Sequence, residues 1–249
     1  MRKTILITGA SSGLGAEMAR QFAARGHDLA LCARRTEKLD ALREEIAGSS
    51  PGVRVEVRPL DVTDDDQVFE VFRAFRDDFG TLDRVVINAG LGKGAPLGTG
   101  RFDANRQTAM TNFVAALAQT EAAMEVFRAQ DAGHLVMISS MSAVRGMPKT
   151  LTTYAATKVA VAHLAEGLRA ELHDSPIKVT VLYPGYIRSE MNEKVAQSTP
   201  LMASTEKGVR AMVEAIEKEK DSAFVPALPW APLSVVMRHA PMPLFRKLI

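Results

Sequence analysis

Short apolar runs alternate with longer amphipathic stretches along nearly the whole chain, and this alternation constrains the fold more than any other feature of the sequence. Strand-like runs at 3–8, 28–33, 53–58, 84–87, 134–139 and 178–182 are separated by helical patterns at 13–25, 37–47, 65–79, 103–128 and 151–172. Strands joined through helices pair in parallel, and a parallel sheet is covered on both faces, which suits a run as apolar as Val85-Val86-Ile87. The pattern predicts a single α/β domain with a doubly wound parallel sheet over residues 1–225. Thr63 and Asp64 offer caps for the helix that starts at 65. After 182 the pattern gives an irregular segment at 184–203, an amphipathic helix at 205–218, a short strand near 223–225 and a proline-punctuated tail at 226–249.

Where the first strand meets the first helix the chain reads Thr8-Gly9-Ala10-Ser11-Ser12-Gly13-Leu14-Gly15. Glycines at 9, 13 and 15 allow a sharp turn and a close backbone approach to a pyrophosphate seated on the positive end of the helix. A tight connection alone would use the same residues. Dinucleotide-binding sheets of the Rossmann type place a carboxylate about 20 residues further on, at the end of the second strand, for the adenosine ribose. Here Arg34 and Arg35 stand there, which suits a 2′-phosphate and points to NADP(H) rather than NAD(H). The competing reading is a solvated basic helix start balanced by Glu37.

Tyr154 and Lys158 lie four apart on a predicted helix and so share a face. A phenol titrates near pH 10, and an adjacent ammonium together with an oxidised nicotinamide ring favours the phenolate, so Tyr154 could exchange a proton with a substrate oxygen. The same pair could be a half-exposed tyrosine beside a surface lysine. Upstream, the strand at 134–139 ends in Ser139-Ser140, at the sheet edge where such folds bind ligands; Ser140 could hold the substrate oxygen or simply start a turn.

With these motifs the chain resembles the compact type of the short-chain dehydrogenase/reductase family, from Lys3 to about Val225. Asp61-Val62, Asn88-Ala89-Gly90, Asn112 and the segment Pro184-Gly185-Tyr186-Ile187-Arg188-Ser189 match further family elements. The resemblance implies that Asp61 and Val62 lie beside the adenine ring and that the loop with Pro184, Gly185, Ile187 and Ser189 contacts the nicotinamide amide. It implies that Tyr154 is the general acid in reduction, that Lys158 binds the nicotinamide ribose and lowers the tyrosine pKa, and that Ser140 orients the carbonyl. Asn112 would hold a water linking Lys158 to solvent, although an interior asparagine satisfied by backbone groups is the alternative. Ser142 offers a second hydroxyl near Ser140, and Ser189 replaces a frequent threonine while keeping the hydroxyl.

The expected activity is NADP(H)-dependent interconversion of a carbonyl and an alcohol; a non-catalytic NADP(H) sensor is the alternative. An epimerase or dehydratase of the related extended type would use a different glycine spacing and a larger C-terminal region. Leu91, Leu97, Met141, Met147, Leu151, Tyr186, Met191, Leu201 and Met202 are expected at the substrate pocket, which suggests an apolar substrate unless the methionines fill the core.

Thirty-one Lys and Arg against 29 Asp and Glu leave a balance of +2, which does not favour a nucleic-acid partner. Cys32 lies in an apolar strand and reads as structural, no metal is called for, and no run approaches the ~20 apolar residues that span a bilayer. A cytoplasmic location is expected, and surplus apolar positions on the helices at 103–128 and 151–172 predict subunit pairing, as a homodimer or a homotetramer. The tail has Arg238, Arg246 and Lys247 among apolar residues and no acidic residue from 222 onward. It is expected to pack on its own protein or a dimer mate, with a membrane surface as the less favoured partner.

Overall fold

In the computed structural model, which describes residues 2–92, 94–190 and 201–248, the predicted alternation becomes a seven-stranded sheet with helices on both faces. In chain order the elements are β1 (Thr4–Thr8), α1 (Gly13–Ala23), β2 (Asp28–Ala33), α2 (Thr36–Ser49), β3 (Val55–Pro59), α3 (Asp65–Phe79) and β4 (Arg84–Ile87). There follow α4 (Phe102–Ala109), α5 (Ala115–Gln130), β5 (Gly133–Ile138), α6 (Thr152–Glu171), β6 (Ile177–Pro184), α7 (Thr205–Glu217), β7 (Ser222–Val225), α8 (Ala227–His239) and α9 (Met242–Leu248).

All paired strands are parallel, in the order β3-β2-β1-β4-β5-β6-β7. After β3 the chain crosses back to lay β4 on the other side of β1. The connections from β1 and β4 therefore diverge and leave a crevice at their carboxyl ends, the place where doubly wound sheets bind ligands.

Alternation along each strand sorts the core into two halves. Leu6 of β1, Val85 and Ile87 of β4, and Leu135 and Met137 of β5 pack with Phe72 and Phe75 of α3, Phe127 of α5 and Val161 of α6. Ile5, Ile7, Val86, Val136 and Ile138 face the other way, onto Met18 and Phe22 of α1, Leu39 of α2 and Met212 of α7. A one-residue register slip would exchange these sets, so the pairing is specified by both faces at once. Cys32 lies fully buried in β2, and burial pushes its thiol pKa upward, as a structural cysteine requires.

Three local expectations are revised. Asp64 caps α3 by accepting from the Gln67 amide at 3.1 Å, whereas the Thr63 hydroxyl donates to Asp61 Oδ1 at 2.8 Å and takes no part in the cap. The long helix expected at 103–128 is divided by a π-helical segment, Met110–Val114, between α4 and α5. The tail is largely helical: α8 tolerates Pro232 and takes its non-helical turn at Leu228, and Ala240-Pro241 separates it from α9.

Candidate active site

The carboxyl ends of β1 and β4 are stitched together before any ligand is considered. Thr8 Oγ1 accepts from the amides of Asn88 at 3.1 Å and Ala89 at 3.2 Å, and Asn88 Nδ2 donates to the Thr8 carbonyl at 2.9 Å. Gly9 then leaves the strand with φ +65°, and a Cβ there would come within 2.9 Å of Ala89 Cα. A Cβ on Gly15 would lie 2.4 Å from the Gly9 carbonyl oxygen. Both glycines are thus required by close backbone approach.

At the start of α1, Ser12 occupies the N-cap without a side-chain capping bond, and the first turn carries no acidic residue. Its hydroxyl instead accepts from Arg35 Nη2 at 2.6 Å, and Ser11 Oγ lies 3.3 Å from Arg35 Nε. The α1 terminus consequently combines a positive dipole end with a guanidinium group, a natural seat for phosphate oxygens. Arg35 also makes a bidentate ion pair with Glu190, 2.9 Å at each contact, and the Glu190 bond, with the charges of Glu190 and Glu37, raises the Arg35 pKa. Arg34 is more exposed and reaches Asp61 Oδ2 at 4.0 Å.

Lys158, on the second turn of α6, is buried, and its Nζ donates to the Ile138 carbonyl at 2.9 Å. Ser139 fixes the same helix by donating to the Lys158 carbonyl at 2.7 Å. Burial lowers the Lys158 pKa to about 8. Its ammonium lies 5.8 Å from the centroid of the Tyr154 ring. A Cβ on Gly90 would stand in ordinary contact with Lys158 Nζ at 3.5 Å and closely against Asn112 Oδ1 at 3.3 Å.

Tyr154 and Ser140 are hydrogen-bonded through their side chains. Burial raises the tyrosine pKa, the Ser140 bond opposes this, and Tyr186 adds to the rise. The depression expected from Lys158 is therefore not what the protein imposes by itself: desolvation dominates and holds the phenol protonated. Ser142 stands behind Ser140, donating from its hydroxyl at 2.9 Å and its amide at 3.2 Å to Ser140 Oγ. Of the two serines, Ser140 adjoins the phenol and Ser142 orients it.

Asn112 lies within the π-helical segment and is buried. Its Oδ1 accepts from the Leu91 amide at 2.7 Å and its Nδ2 donates to the Leu91 carbonyl at 2.9 Å. These bonds pin the loop after β4 against α6, where Thr157 Oγ1 lies 3.4 Å from Asn112 Nδ2.

A single cavity of about 680 Å³ joins these groups. It is lined by Gly9, Ser11, Ser12, Gly13 and Leu14 from the first turn, by Arg34, Arg35, Asp61 and Val62 at one end, and by Asn88, Ala89 and Gly90 in the middle. Ser140, Tyr154, Lys158, Pro184, Gly185, Ile187 and Ser189 complete the other end. Of the catalytic and cofactor-binding candidates read from the sequence only Gly15 and Asn112 lie outside the lining, one supporting the turn and the other the floor. The cavity fits a dinucleotide by its chemistry: glycine backbone at its first turn, a helix terminus suited to phosphate oxygens, and a guanidinium at one end.

Sequence patterns missed two contributors. Glu190 reaches Arg35 across 155 positions, and Trp230 of α8 fills the space above Gly185, where a Cβ would stand 2.1 Å from the indole Cε2. Trp230, Met237, Ala240 and Phe245 form an apolar cluster with Met141, with Val144 and Met147 packed against it. Arg145 ties the cluster down by donating to the Met237 and Ala240 carbonyls, with its guanidinium 4.4 Å above the Phe245 ring. Tyr186 meets Trp230 edge-on at 5.5 Å. Of the expected pocket residues, Leu91 lines the cavity, Leu97 and Leu201 are exposed, and Met191 lies outside the described residues. Among the described residues no helix is long and apolar enough to cross a membrane.

A family model described as short chain dehydrogenase matches residues 3–200. An uncharacterized oxidoreductase of Mycobacterium tuberculosis (strain ATCC 25618 / H37Rv) is 52% identical over 246 residues, covering 99% of this chain and 97% of that protein. Among solved structures, a short-chain dehydrogenase from Sphingobium yanoikuyae in complex with NADPH matches with a TM-score of 0.84 at 29% identity, over 98% of this chain and 96% of that one. A short chain dehydrogenase/reductase from Burkholderia phymatum in complex with NAD shares the fold, with a TM-score of 0.86 at 21% identity over 97% and 94% of the two chains.

Proposed function

The chain belongs to the short-chain dehydrogenase family, and on that premise we propose that it is an NADP(H)-dependent oxidoreductase that interconverts a carbonyl and an alcohol. The observation that carries this reading is the single cavity with Arg35 and Ser12 at one end and Tyr154, Ser140 and Lys158 at the other. The Sphingobium yanoikuyae protein found with NADPH supports the choice of cofactor.

Residues 9–15 and the α1 terminus would hold the pyrophosphate, Arg35 with Arg34 the 2′-phosphate, and Asp61 and Val62 the adenine side. Asn88-Ala89-Gly90 would form the floor, Lys158 would bind the nicotinamide ribose, and Pro184, Gly185, Ile187 and Ser189 would border the nicotinamide. The cofactor supplies or accepts the hydride. In reduction Ser140 holds the carbonyl oxygen and Tyr154 Oη delivers the proton to it, so that hydride on carbon and proton on oxygen together give the alcohol. Lys158 keeps positive charge beside the phenolate that remains. The apolar cluster of Met141, Met147 and Trp230 next to Ser140 favours an apolar carbonyl substrate.

Arg35→Ala is expected to weaken NADPH roughly 10- to 100-fold, the range for losing charged hydrogen bonds, while NADH affinity stays within about twofold. Fluorescence titration with both cofactors checks this, and equal weakening of both would remove the 2′-phosphate assignment. An NADPH-consumption screen over aldehydes and ketones tests the reaction itself. Tight NADPH binding with no turnover of any carbonyl would favour the sensor alternative.

A further inference from the structure

The Glu190 carboxylate sits where an anion belongs. Arg35 Nη1 and Nη2 each reach it at 2.9 Å, Lys38 Nζ lies 3.5 Å away, and the Ser12 hydroxyl hydrogen-bonds it as well. The bond from Arg35, then the bond from Ser12, and the charges of Arg35 and Lys38 bring its pKa down to about 2, so it is fully ionised at neutral pH. Arg35, Ser12 and Glu190 all line the same cavity. A guanidinium offered to an anion at a helix terminus thus already has one, supplied by the protein's own chain.

We propose that Glu190 is a cofactor-selecting residue: its carboxylate occupies the seat formed by Arg35, Lys38 and Ser12, and a 2′-phosphate must displace it to bind. The inference rests on the reading that Arg35 receives the 2′-phosphate. NAD(H) carries no group for this seat and binds with Glu190 in place. NADP(H) binds against a competitor that is tethered and therefore always present at high effective concentration. Glu190 accordingly narrows a preference that Arg35 would otherwise make much wider. It also links the two ends of the cavity, because Glu190 directly follows Ser189 and lies three residues after Ile187 at the nicotinamide end, and its ion pairs with Arg35 and Lys38 anchor that segment to the start of α2. Displacement by a 2′-phosphate releases that anchor, so an event at the adenosine end reaches residues at the opposite end.

The test is calorimetric titration of the full chain, as wild type, Glu190→Gln, Glu190→Ala and Arg35→Ala, with NADPH, NADH and 2′,5′-ADP, each variant first checked by thermal melting. Both Glu190 variants should bind NADPH and 2′,5′-ADP roughly two- to fivefold more tightly, the range of one competing exposed ion pair, with NADH changed by less than about 1.5-fold. Unchanged or weaker NADPH binding in both, with Arg35→Ala still weakening it, would overturn the competition and leave the cofactor reading intact. Should Arg35→Ala leave NADPH untouched, the 2′-phosphate reading falls and the inference falls with it.

Discussion

Tyr154→Phe should yield a folded protein that binds NADPH within about twofold of wild type yet reduces carbonyls on the order of 10³-fold more slowly, the usual contribution of a positioned general acid. The substitution removes one oxygen and its bond with Ser140, which costs about 1 kcal/mol and should leave the melting temperature close to wild type. Loss of rate without loss of fold or cofactor binding is the signature of a group needed for proton transfer. Residual turnover above a tenth of wild type would move that role elsewhere. A pH profile adds a second readout. Tyr154 keeps its proton through neutral pH and beyond, because burial raises its pKa, whereas Lys158 loses its charge as pH rises through about 8. The rate of reduction should therefore fall above about pH 8, and Lys158→Met should remove that limb; an unchanged limb would assign it to another group.

The largest stability effect is expected at the opposite edge of the sheet. Arg84 opens β4 with its side chain 2% exposed, donating to His134 Nδ1 at 2.9 Å, to Glu217 at 2.6 Å and to the Ile216 carbonyl at 3.3 Å. Burial lowers the Arg84 pKa, and the Glu217 bond opposes that shift. Arg84→Ala strands the His134 acceptor and the partly buried Glu217 carboxylate, and removing one member of such a set costs about 3–5 kcal/mol. For a chain of this length that corresponds to a fall in melting temperature of roughly 10 °C. Calorimetry checks it, and a change under about 2 °C would mean that relaxation or water replaces the guanidinium. His134 contributes a pH dependence: burial first, then the charges of Arg84 and Arg2, hold its pKa well below the usual value. The native state thus refuses a proton that the unfolded chain accepts below about pH 6.5. Stability from this group is complete above that pH and is lost as pH falls below it, so wild type should lose more stability than His134→Asn between pH 7 and pH 5.

The order of strands and helices was legible because burial on two faces of a parallel sheet leaves a periodic trace, and Gly9 and Gly15 were legible because only glycine fits their backbone approaches. Tyr154 and Lys158 could be placed on one helical face from spacing alone, but not the depth of burial that sets their protonation. The interruption at Met110–Val114 was hidden, since one extra residue in a helical turn barely disturbs a 3.6-residue period. Thr63 and Asp64 were equally good caps by type, and the choice depended on Asp61 competing for the threonine hydroxyl. Glu190 and Trp230 were invisible for a different reason: their partners lie 155 and 45 positions away, and no local pattern encodes a contact made only when the sheet is assembled.

The seating of Trp230 over Gly185 bears on how this scaffold could be re-engineered. The C-terminal helices and the loop after β6 fit as a matched pair, with the missing side chain on one occupied by the indole of the other. A library that randomises α8 and α9, or a chimera that imports another tail, would leave an unfilled hollow beside the loop after β6 unless position 185 is varied with it. Co-designed pairs at 185 and 230 form the smallest unit in which this contact between the tail and the loop after β6 can be exchanged.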